Sequence, residues 1–488
     1  MLLPDETIDL SDALRVLAIM GDLSMGQPID HSQRVAALST TMATHLGCDG
    51  ESVNHIRQIA QLRWSGCTAN AAEFAATIRD DVGGRALMLQ LQFEKMEFLV
   101  PPDAIAEKIG LVSTIHCDVS SLIANSLGLD NAVSAALGCV FEHWDGSGSP
   151  NALRGDAIPT AAMVVAICSE LEILSRLHGL PKTLTILRQR ADVVYPSHLV
   201  DAMDKYAHDW LGAIHLAPDI STDSADERQI KMDLIGHVID LKLPWLLGHS
   251  VAVAKTADAM AAMMGVTSKK RARLRRAAWL HGLGGVSVPN AIWDRSGPLT
   301  TGDMERVRLA PYWTSRVGNI VAGLADAAET ASHAYERLDG SGYFRGISAN
   351  STPIESRILA TAVCWVAMIS ERPWRKAMDV DAAMAELRRE ADSGRFDVQV
   401  LDSLVRCVAP DAVPIEGKGP AMLLLTAREL DVLRRVSLGD SNKEAAQNLG
   451  ISPSTVRTHM ESIFNKLGCK TRAACTLRAS LLGLLQAV

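Results

Sequence analysis

Three histidines, His31, His249 and His281, fall in segments that occur twice in the chain or stand beside a glycine-rich stretch. A neutral imidazole can ligate a metal ion, contact a small ligand, or lie buried in a helix with hydrogen-bond partners. Residue type alone does not choose among a remnant metal or haem site, a contact to a small molecule, and a structural role. The sequence leaves all three open.

Two Asp-Gly-Ser-Gly clusters, at 145–148 and 339–342, are the second feature with a chemical meaning. Glycine accepts positive φ angles, and an aspartate at the start of a turn accepts hydrogen bonds from backbone amides. We therefore expect each cluster to form a turn that joins two helices or borders a pocket.

Both features belong to an internal repeat that positions them. The segment 22–36 matches 240–254 at a constant offset of 218, which pairs the first two histidines. The segment 142–148 matches 336–342 at an offset of 194. This spacing indicates two divergent copies of one domain.

Helices are predicted throughout, because long Ala-, Leu-, Met- and Val-rich segments carry charges at three- and four-residue spacing. The fold class is all-α, with two repeated helical domains followed by a four-helix domain. Proline, serine and glycine mark the linkers. The predicted boundaries are a first domain at 1–215, a linker at 216–230, a second domain at 231–407, a linker at 408–424 and a C-terminal domain at 425–488.

Composition and charge exclude several classes of protein. Nine cysteines without a CxxC pair fit reduced thiols better than a disulfide framework or a zinc site, and no run of 18 apolar residues predicts a membrane span. The chain does not open like a secretion signal, so we expect a cytoplasmic protein. Residues 425–488 carry nine Lys/Arg and five Asp/Glu, net +4, within a chain of net charge −8. Any polyanionic partner is therefore assigned to the C-terminal domain.

The second copy carries a family likeness in five segments, at 276–290, 297–300, 305–308, 336–343 and 370–375. Together they resemble the HD-GYP branch of the HD phosphohydrolase superfamily over most of 236–405. The resemblance implies an all-helical fold whose active members hydrolyse cyclic di-GMP at a centre of two or three metal ions.

The resemblance also locates that family's metal ligands, and most are replaced here. His249 and His281 stand where the family has its leading His and the His of its His-Asp pair. The other positions carry residues that do not ligate as the family's residues do, namely Gly282, Gly285, Ala310, Ala334, Tyr335 and Val363. We therefore expect no metal or other cofactor, no catalytic residue and no enzymatic activity, but a cavity that an organic ligand could enter.

The first copy departs further from the family, since Arg63 and Trp64 replace its His-Asp pair, and Val140, Phe141 and Ser169 take other ligand positions. No metal site is expected there. The candidate pocket residues of the two copies are His249, His281, Gly282, Ala310, Ala334, Tyr335, Val363, His31, Arg63 and Trp64.

The C-terminal segment, at 425–429, 439–446, 449–459 and 463–468, resembles the LuxR/NarL-type helix-turn-helix over nearly its full length. Asn442 is expected to cap the first helix of the motif and Gly450 to end it in the left-handed conformation. Ser452 and Pro453 are expected to begin the second helix.

That second helix is the candidate for reading DNA in the major groove. Its outward face offers Arg457, Thr458 and Glu461 to base edges. Further residues are expected to contact phosphate near the helix ends, namely Thr455, Lys466, Lys470 and Arg472.

These features predict a one-component transcription regulator that binds double-stranded DNA as a homodimer, without membrane contact. Its catalytically inactive HD-GYP-like domains would sense a small-molecule effector or mediate dimerisation. Two alternatives remain, a metal-dependent phosphodiesterase with an atypical site around His249 and His281, and an oligomerisation scaffold without a ligand.

Overall fold

The computed structural model describes residues 6–216, 228–408 and 424–485. Regular structure in these ranges is almost entirely helical, which confirms the predicted all-α class. Most of the two predicted linkers lies outside the described residues. Among the helices described, none combines the length and apolar character that a membrane crossing needs.

Residues 10–228 form the first of two compact units and contain the first repeat copy. Its helices are α1 Leu10–Ser24, α2 His31–His45, α3 Gly50–Leu62, α4 Ala71–Thr77, α5 Asp81–Leu89, α6 Pro102–Ser126, α7 Asn131–Leu137, α8 Thr160–His178, α9 Leu180–Gln189 and α10 Ser197–Leu216. At the centre of the unit, α2 packs against α3 and α8.

Residues 229–488, together with residues 1–9, form the second unit. An antiparallel strand pair joins β1 (Thr7–Asp9) to β2 (Gln229–Lys231), so β1 lies with the second copy and not with the first. The helices of the second copy are α11 Asp233–Asp240, α12 His249–Met263, α13 Ser268–Leu280, α14 Asn290–Trp293, α15 Thr301–Ile320, α16 Ala325–Ser332, α17 Ile354–Ile369, α18 Val380–Asp392 and α19 Val398–Val408.

The C-terminal domain belongs to this second unit and has four helices in its described part. They are α20 Ala427–Ser437, α21 Asn442–Leu449, α22 Pro453–Leu467 and α23 Arg472–Leu481. α22 contacts each of the other three, and α23 also packs against α11 of the second copy.

The repeat read from the sequence recurs in the packing, because α1, α2, α3 and α8 contact one another in the same pairs as α11, α12, α13 and α17. A buried aspartate holds the start of the second helix in each copy. Asp22 accepts hydrogen bonds from the backbone N and Oγ of Ser32 at 3.0 and 2.6 Å. Asp240 accepts from Ser250 at the same distances.

The Asp-Gly-Ser-Gly clusters form turns that are anchored by a buried glutamate. The Glu336 carboxylate accepts hydrogen bonds from the backbone amides of Arg345 and Ile347, and Glu142 makes the equivalent bonds in the first copy. A Cβ on Gly342 would lie 2.3 Å from the backbone nitrogen of Arg337. Glycine is therefore required here by the close approach of the backbone.

Candidate functional site

A cavity of about 630 Å³ lies in the second repeat copy. Its wall comes from α11, the short 3₁₀ helix Pro244–Leu246, the start of α12, the turn that follows α13, and parts of α14, α15 and α17. Trp245 and Trp374 meet edge to face with ring centroids 5.5 Å apart, and Tyr335 stacks on Tyr343 at 5.3 Å. These rings give the cavity broad apolar faces suited to planar groups.

His249, the first residue of α12, and His281, directly after α13, line the cavity with ring centroids 5.4 Å apart. His281 Nδ1 lies 2.7 Å from the carbonyl oxygen of Ala278, whereas His249 Nδ1 has no hydrogen-bond partner among the described residues. Burial lowers the pKa of His281 to about 4. Burial, with His281 and Arg372 nearby, holds the pKa of His249 well below its usual range. Both imidazoles are therefore neutral at pH 7.

Two buried basic side chains also line the cavity, Lys242 at 2% and Arg372 at 8% exposed. The Arg372 Cζ lies 4.4 Å from the centroid of the Trp245 ring, and its Nη1 has no hydrogen-bond partner within the described ranges. Burial lowers the pKa of Arg372 to about 10, which leaves it charged at pH 7. Burial raises the pKa of Asp240 to about 7, against the hydrogen bonds from Ser250. A buried guanidinium beside aromatic rings is suited to an anion that carries planar groups.

The structure brings to this cavity the predicted residues His249, His281, Gly282, Tyr335 and Val363. The other two predicted for this copy do not line it. Ala310 packs instead with Val288, Ile292 and Val307, and Ala334 is buried at 1% exposed. This corrects their placement in the pocket, which assumed that every former ligand position still faces one space.

Two basic residues and two tryptophans of this wall were not predicted from the sequence, although a signal was present for each. Arg372 and Trp374 lie in the segment 370–375 that carries the family resemblance. Lys242 and Trp245 lie inside the repeated segment that begins at Asp240 and runs past His249.

The side chains at this place do not fit the metal centre of the family. In the part of the chain that the structure describes, no group of three or more His, Cys, Asp or Glu residues is arranged to hold a metal ion. The position of the family's aspartate is Gly282, where a Cβ would lie 2.9 Å from Cγ2 of Ile239. No step through a metal ion follows from these side chains.

A smaller cavity, of about 280 Å³, lies in the first copy. Arg63 and Trp64 line it, as predicted for that copy's pocket, but His31 does not. His31 Nδ1 lies 2.6 Å from Oε2 of the buried Glu172, which also pairs with Arg34. Burial lowers the pKa of His31, so its ring belongs to a buried hydrogen-bond network around Glu172, and its assignment to the pocket is corrected.

Large and small residues are exchanged between the two copies at one contact. In the first copy a Cβ on Gly21 would lie 2.6 Å from the Cβ of Trp64, so glycine makes room for the indole. The positions 218 residues later hold Ile239 and Gly282. The larger side chain of the pair is thus Trp64 in the first copy and Ile239, at the opposite position, in the second. The second cavity is the larger of the two.

The C-terminal domain forms the two helices of the predicted motif. Ser441, and not Asn442, caps α21, because Ser441 and Glu444 exchange side-chain to backbone hydrogen bonds. Gly450 ends α21 at φ +65°, and Ser452 caps α22.

α22 buries one face and exposes the other. Val456 and Ile463 are fully buried, whereas Arg457, Thr458 and Glu461 are exposed. Arg457 Nε donates to Glu461 Oε1 at 3.0 Å across one helical turn. The side chains predicted to face base edges therefore share one solvent-facing surface.

The residues predicted to contact phosphate do not form one set. Thr455 and Lys470 are exposed, and the exposed Arg472 donates to Asn442 Oδ1 at 2.8 Å and so links the start of α23 to α21.

Lys466 differs from its predicted role. Its Nζ lies 2.9 and 2.7 Å from the two carboxylate oxygens of Glu429 on α20, and Ser462 Oγ donates to the same carboxylate at 2.7 Å. Burial alone would raise the pKa of Glu429, but the hydrogen bonds from Lys466, Ser462 and Thr426 outweigh burial and bring the pKa down to about 2. Lys466 therefore joins α22 to α20 and is not a free ammonium for phosphate.

Lys466→Ala is expected to destabilise the C-terminal domain by about 1–3 kcal/mol, because the carboxylate of Glu429 loses its cation. Hydrogen exchange followed by mass spectrometry would show faster exchange of the α20 and α22 amides. Lys443→Ala, which removes an exposed cation of α21, is the matched control. Unchanged protection in the Lys466 variant would contradict this structural role.

Comparison with known proteins agrees with the two resemblances. Residues 233–400 match the HD domain family, and residues 423–479 match the luxR family of bacterial regulatory proteins. Over 61 residues the chain is 46% identical to the HTH-type transcriptional activator RamA of Corynebacterium glutamicum, which is 12% of this chain and 22% of that protein. DNA binding by the C-terminal domain is thereby supported.

The remainder of the chain is similar to phosphodiesterases. It is 24% identical over 424 residues to the 3'3'-cGAMP-specific phosphodiesterase 3 of Vibrio cholerae, covering 79% of this chain and 92% of that protein. A crystal structure of a cyclic GMP-AMP specific phosphodiesterase of V. cholerae aligns with a TM-score of 0.57 and 20% identity, over 82% of this chain and 97% of the other. The shared fold thus extends over both repeat copies.

These relatives contradict two expectations drawn from the sequence. The chain was expected not to be an enzyme, yet the proteins similar to it over most of its length are phosphodiesterases. It was expected to take no cofactor, yet HD-domain phosphodiesterases depend on metal ions. Both expectations rested on counting replaced ligands one position at a time, which does not outweigh similarity over the whole body of the chain.

Proposed function

We propose that this chain, which carries an HD domain and a luxR-family domain, is a transcription regulator. It binds a cyclic dinucleotide in the second-copy cavity and double-stranded DNA through α22. The relatives act on such nucleotides, and contact with DNA supports the expected cytoplasmic location. As in other helix-turn-helix proteins, two copies would place two recognition helices on one face of the duplex, so a homodimer is part of the proposal.

The observation that carries the proposal is the chemistry of the cavity wall. A buried guanidinium with an unpartnered Nη1, on Arg372, lies over the ring of Trp245 in a cavity that Trp293 and Trp374 also line. A cyclic dinucleotide offers anionic phosphates to the cation and purine faces to the rings. The volume of about 630 Å³ is in the range of ordinary ligand cavities.

The same wall connects the cavity to the DNA-binding domain. Ile239 and Asp240 of α11 line the cavity, and α23 packs against α11. A Cβ on Gly439, between α20 and α21, would lie 3.3 Å from the Cβ of Pro244, next to the cavity residue Trp245. A ligand that displaces α11 would therefore move a surface on which the C-terminal domain rests.

Isothermal titration of the full chain with 3'3'-cGAMP tests the binding step. Arg372→Met is expected to weaken binding by about 10- to 100-fold, because hydrogen bonds to a charged group contribute about 1.5–3 kcal/mol. Arg316→Met, which removes an exposed cation of α15, is expected to bind like the wild type. Equal affinity in the wild type and the Arg372 variant would reject this site, and chromatography of the same samples shows whether the nucleotide is returned intact or cleaved.

A further inference from the structure

The smaller cavity of the first copy contains three buried polar groups that point to a ligand of its own. Arg63 Nε, Trp64 Nε1 and Ser169 Oγ have no hydrogen-bond partner among the described residues, and all three side chains line this cavity. They are exposed by only 8%, 2% and 1%. Buried donors are rarely left unpaired, because each costs the free energy of its lost hydration.

The three groups stand at positions that the repeat makes equivalent to the larger cavity. Arg63 and Trp64 correspond to His281 and Gly282 at the offset of 218, and Ser169 corresponds to Val363 at the offset of 194. The first copy therefore has a guanidinium, charged at pH 7 with a pKa that burial lowers to about 10, and two further donors where the second has an imidazole and two apolar positions.

The acidic side chains of this cavity are already engaged. Glu170 accepts a hydrogen bond from the Tyr195 hydroxyl at 2.6 Å and pairs with Arg190 at 3.4 Å. Glu142 accepts hydrogen bonds from two backbone amides. Arg63 donates from Nη1 to the Val165 carbonyl oxygen at 3.3 Å. Against burial, which lowers the pKa of Arg63, the charge of Glu170 raises it, but that carboxylate is bonded to Tyr195 and Arg190.

Aromatic and aliphatic side chains make up most of the remaining wall, which also includes His143 and Arg190. The Arg63 guanidinium lies over the Trp64 ring at 4.2 Å, and Trp64 and Phe141 approach with centroids 6.2 Å apart. A charged group that enters would meet the three donors, and the body attached to it would lie against these rings.

We infer that the first-copy cavity binds a small organic anion, with a carboxylate or phosphate group held by Arg63, Trp64 and Ser169 and an apolar or aromatic body held by the remaining wall. At about 280 Å³ it has less than half the volume of the second cavity, about 630 Å³, so its ligand is smaller than the nucleotide proposed there. The inference does not depend on that nucleotide.

Calorimetric titration of the full chain with phenyl phosphate, phenylacetate and the neutral 2-phenylethanol tests this site. At least one of the two anions is expected to bind the wild type about tenfold or more tighter than Arg63→Met, and the neutral probe is expected to make no such distinction. The arm that binds identifies phosphate or carboxylate as the group recognised. If neither anion distinguishes the wild type from Arg63→Met, the inference is wrong.

Thermal unfolding without added ligand separates a binding role of Arg63 from a structural one. Arg63→Met keeps the packing on Trp64 and removes a buried charge that has no ion-pair partner, so the unfolding temperature is expected to rise by about 2–4 °C. Arg34→Met, which breaks the ion pair with Glu172, is the matched control and is expected to lower it. A fall in the Arg63 variant like that of the control would show a structural arginine and overturn the inference.

Discussion

Binding of a cyclic dinucleotide is expected to be lost, by about 100-fold or more, when Gly282→Trp fills the second-copy cavity. Gly282 lines that cavity, and a Cβ there already lies 2.9 Å from Cγ2 of Ile239. The indole therefore takes ligand space and also strains α11, with an expected cost of about 1–3 kcal/mol in the free energy of unfolding.

The first copy supplies the means to separate these two effects. There Gly21 makes room for Trp64, so the double variant Ile239→Gly/Gly282→Trp reproduces that pairing in the second copy. The double variant is expected to be more stable than the sum of the two single changes by about 0.5–3 kcal/mol, and still not to bind. A double variant that binds the nucleotide like the wild type would place the ligand elsewhere.

Specific DNA binding is expected to fall by about 10- to 100-fold in Arg457→Ala, since a bidentate contact to guanine contributes about 1–3 kcal/mol of discrimination. Arg457 is exposed on α22 and is held by Glu461 at 3.0 Å, which orients the guanidinium away from the buried face. Binding to unrelated DNA is expected to change little, because that binding depends on the sum of phosphate contacts.

Arg434→Ala is the matched control for this prediction. Arg434 is exposed on α20 and pairs with an acidic neighbour, Asp431, within its own helix. Fluorescence anisotropy with specific and scrambled duplexes measures both affinities for each variant. Equal losses on the two duplexes in Arg457→Ala would show that this arginine contacts phosphate and not a base.

The helices and the repeat could be predicted because they depend on local patterns. The 218-residue offset pairs Asp22 with Asp240 and Ser32 with Ser250, and these residues make the same hydrogen bonds in both copies. A pattern that is repeated in the sequence is repeated in the structure here because it encodes one helix junction.

Less of the candidate site could be predicted from the sequence, because its chemistry depends on contacts between segments that are distant along the chain. Lys466 reads as a cation near a helix end, but Glu429, 37 residues earlier, accepts its hydrogen bonds. Arg372 reads as part of a family motif, but only the fold places it over Trp245 and in the cavity. The prediction that Ala310 and Ala334 line the cavity was wrong for a different reason. An alanine in place of a metal ligand can be buried in the core and need not face the cavity.

The central claim is that occupation of the second-copy cavity changes binding to DNA. The direct measurement is the affinity of the full chain for a duplex selected by the protein from a random library, titrated with and without saturating 3'3'-cGAMP. The account predicts a change of about 5- to 150-fold, the usual range of coupling between two sites, and no change in Ile239→Gly/Gly282→Trp. The same DNA affinity with and without the nucleotide, in protein that calorimetry shows to be saturated, would contradict it.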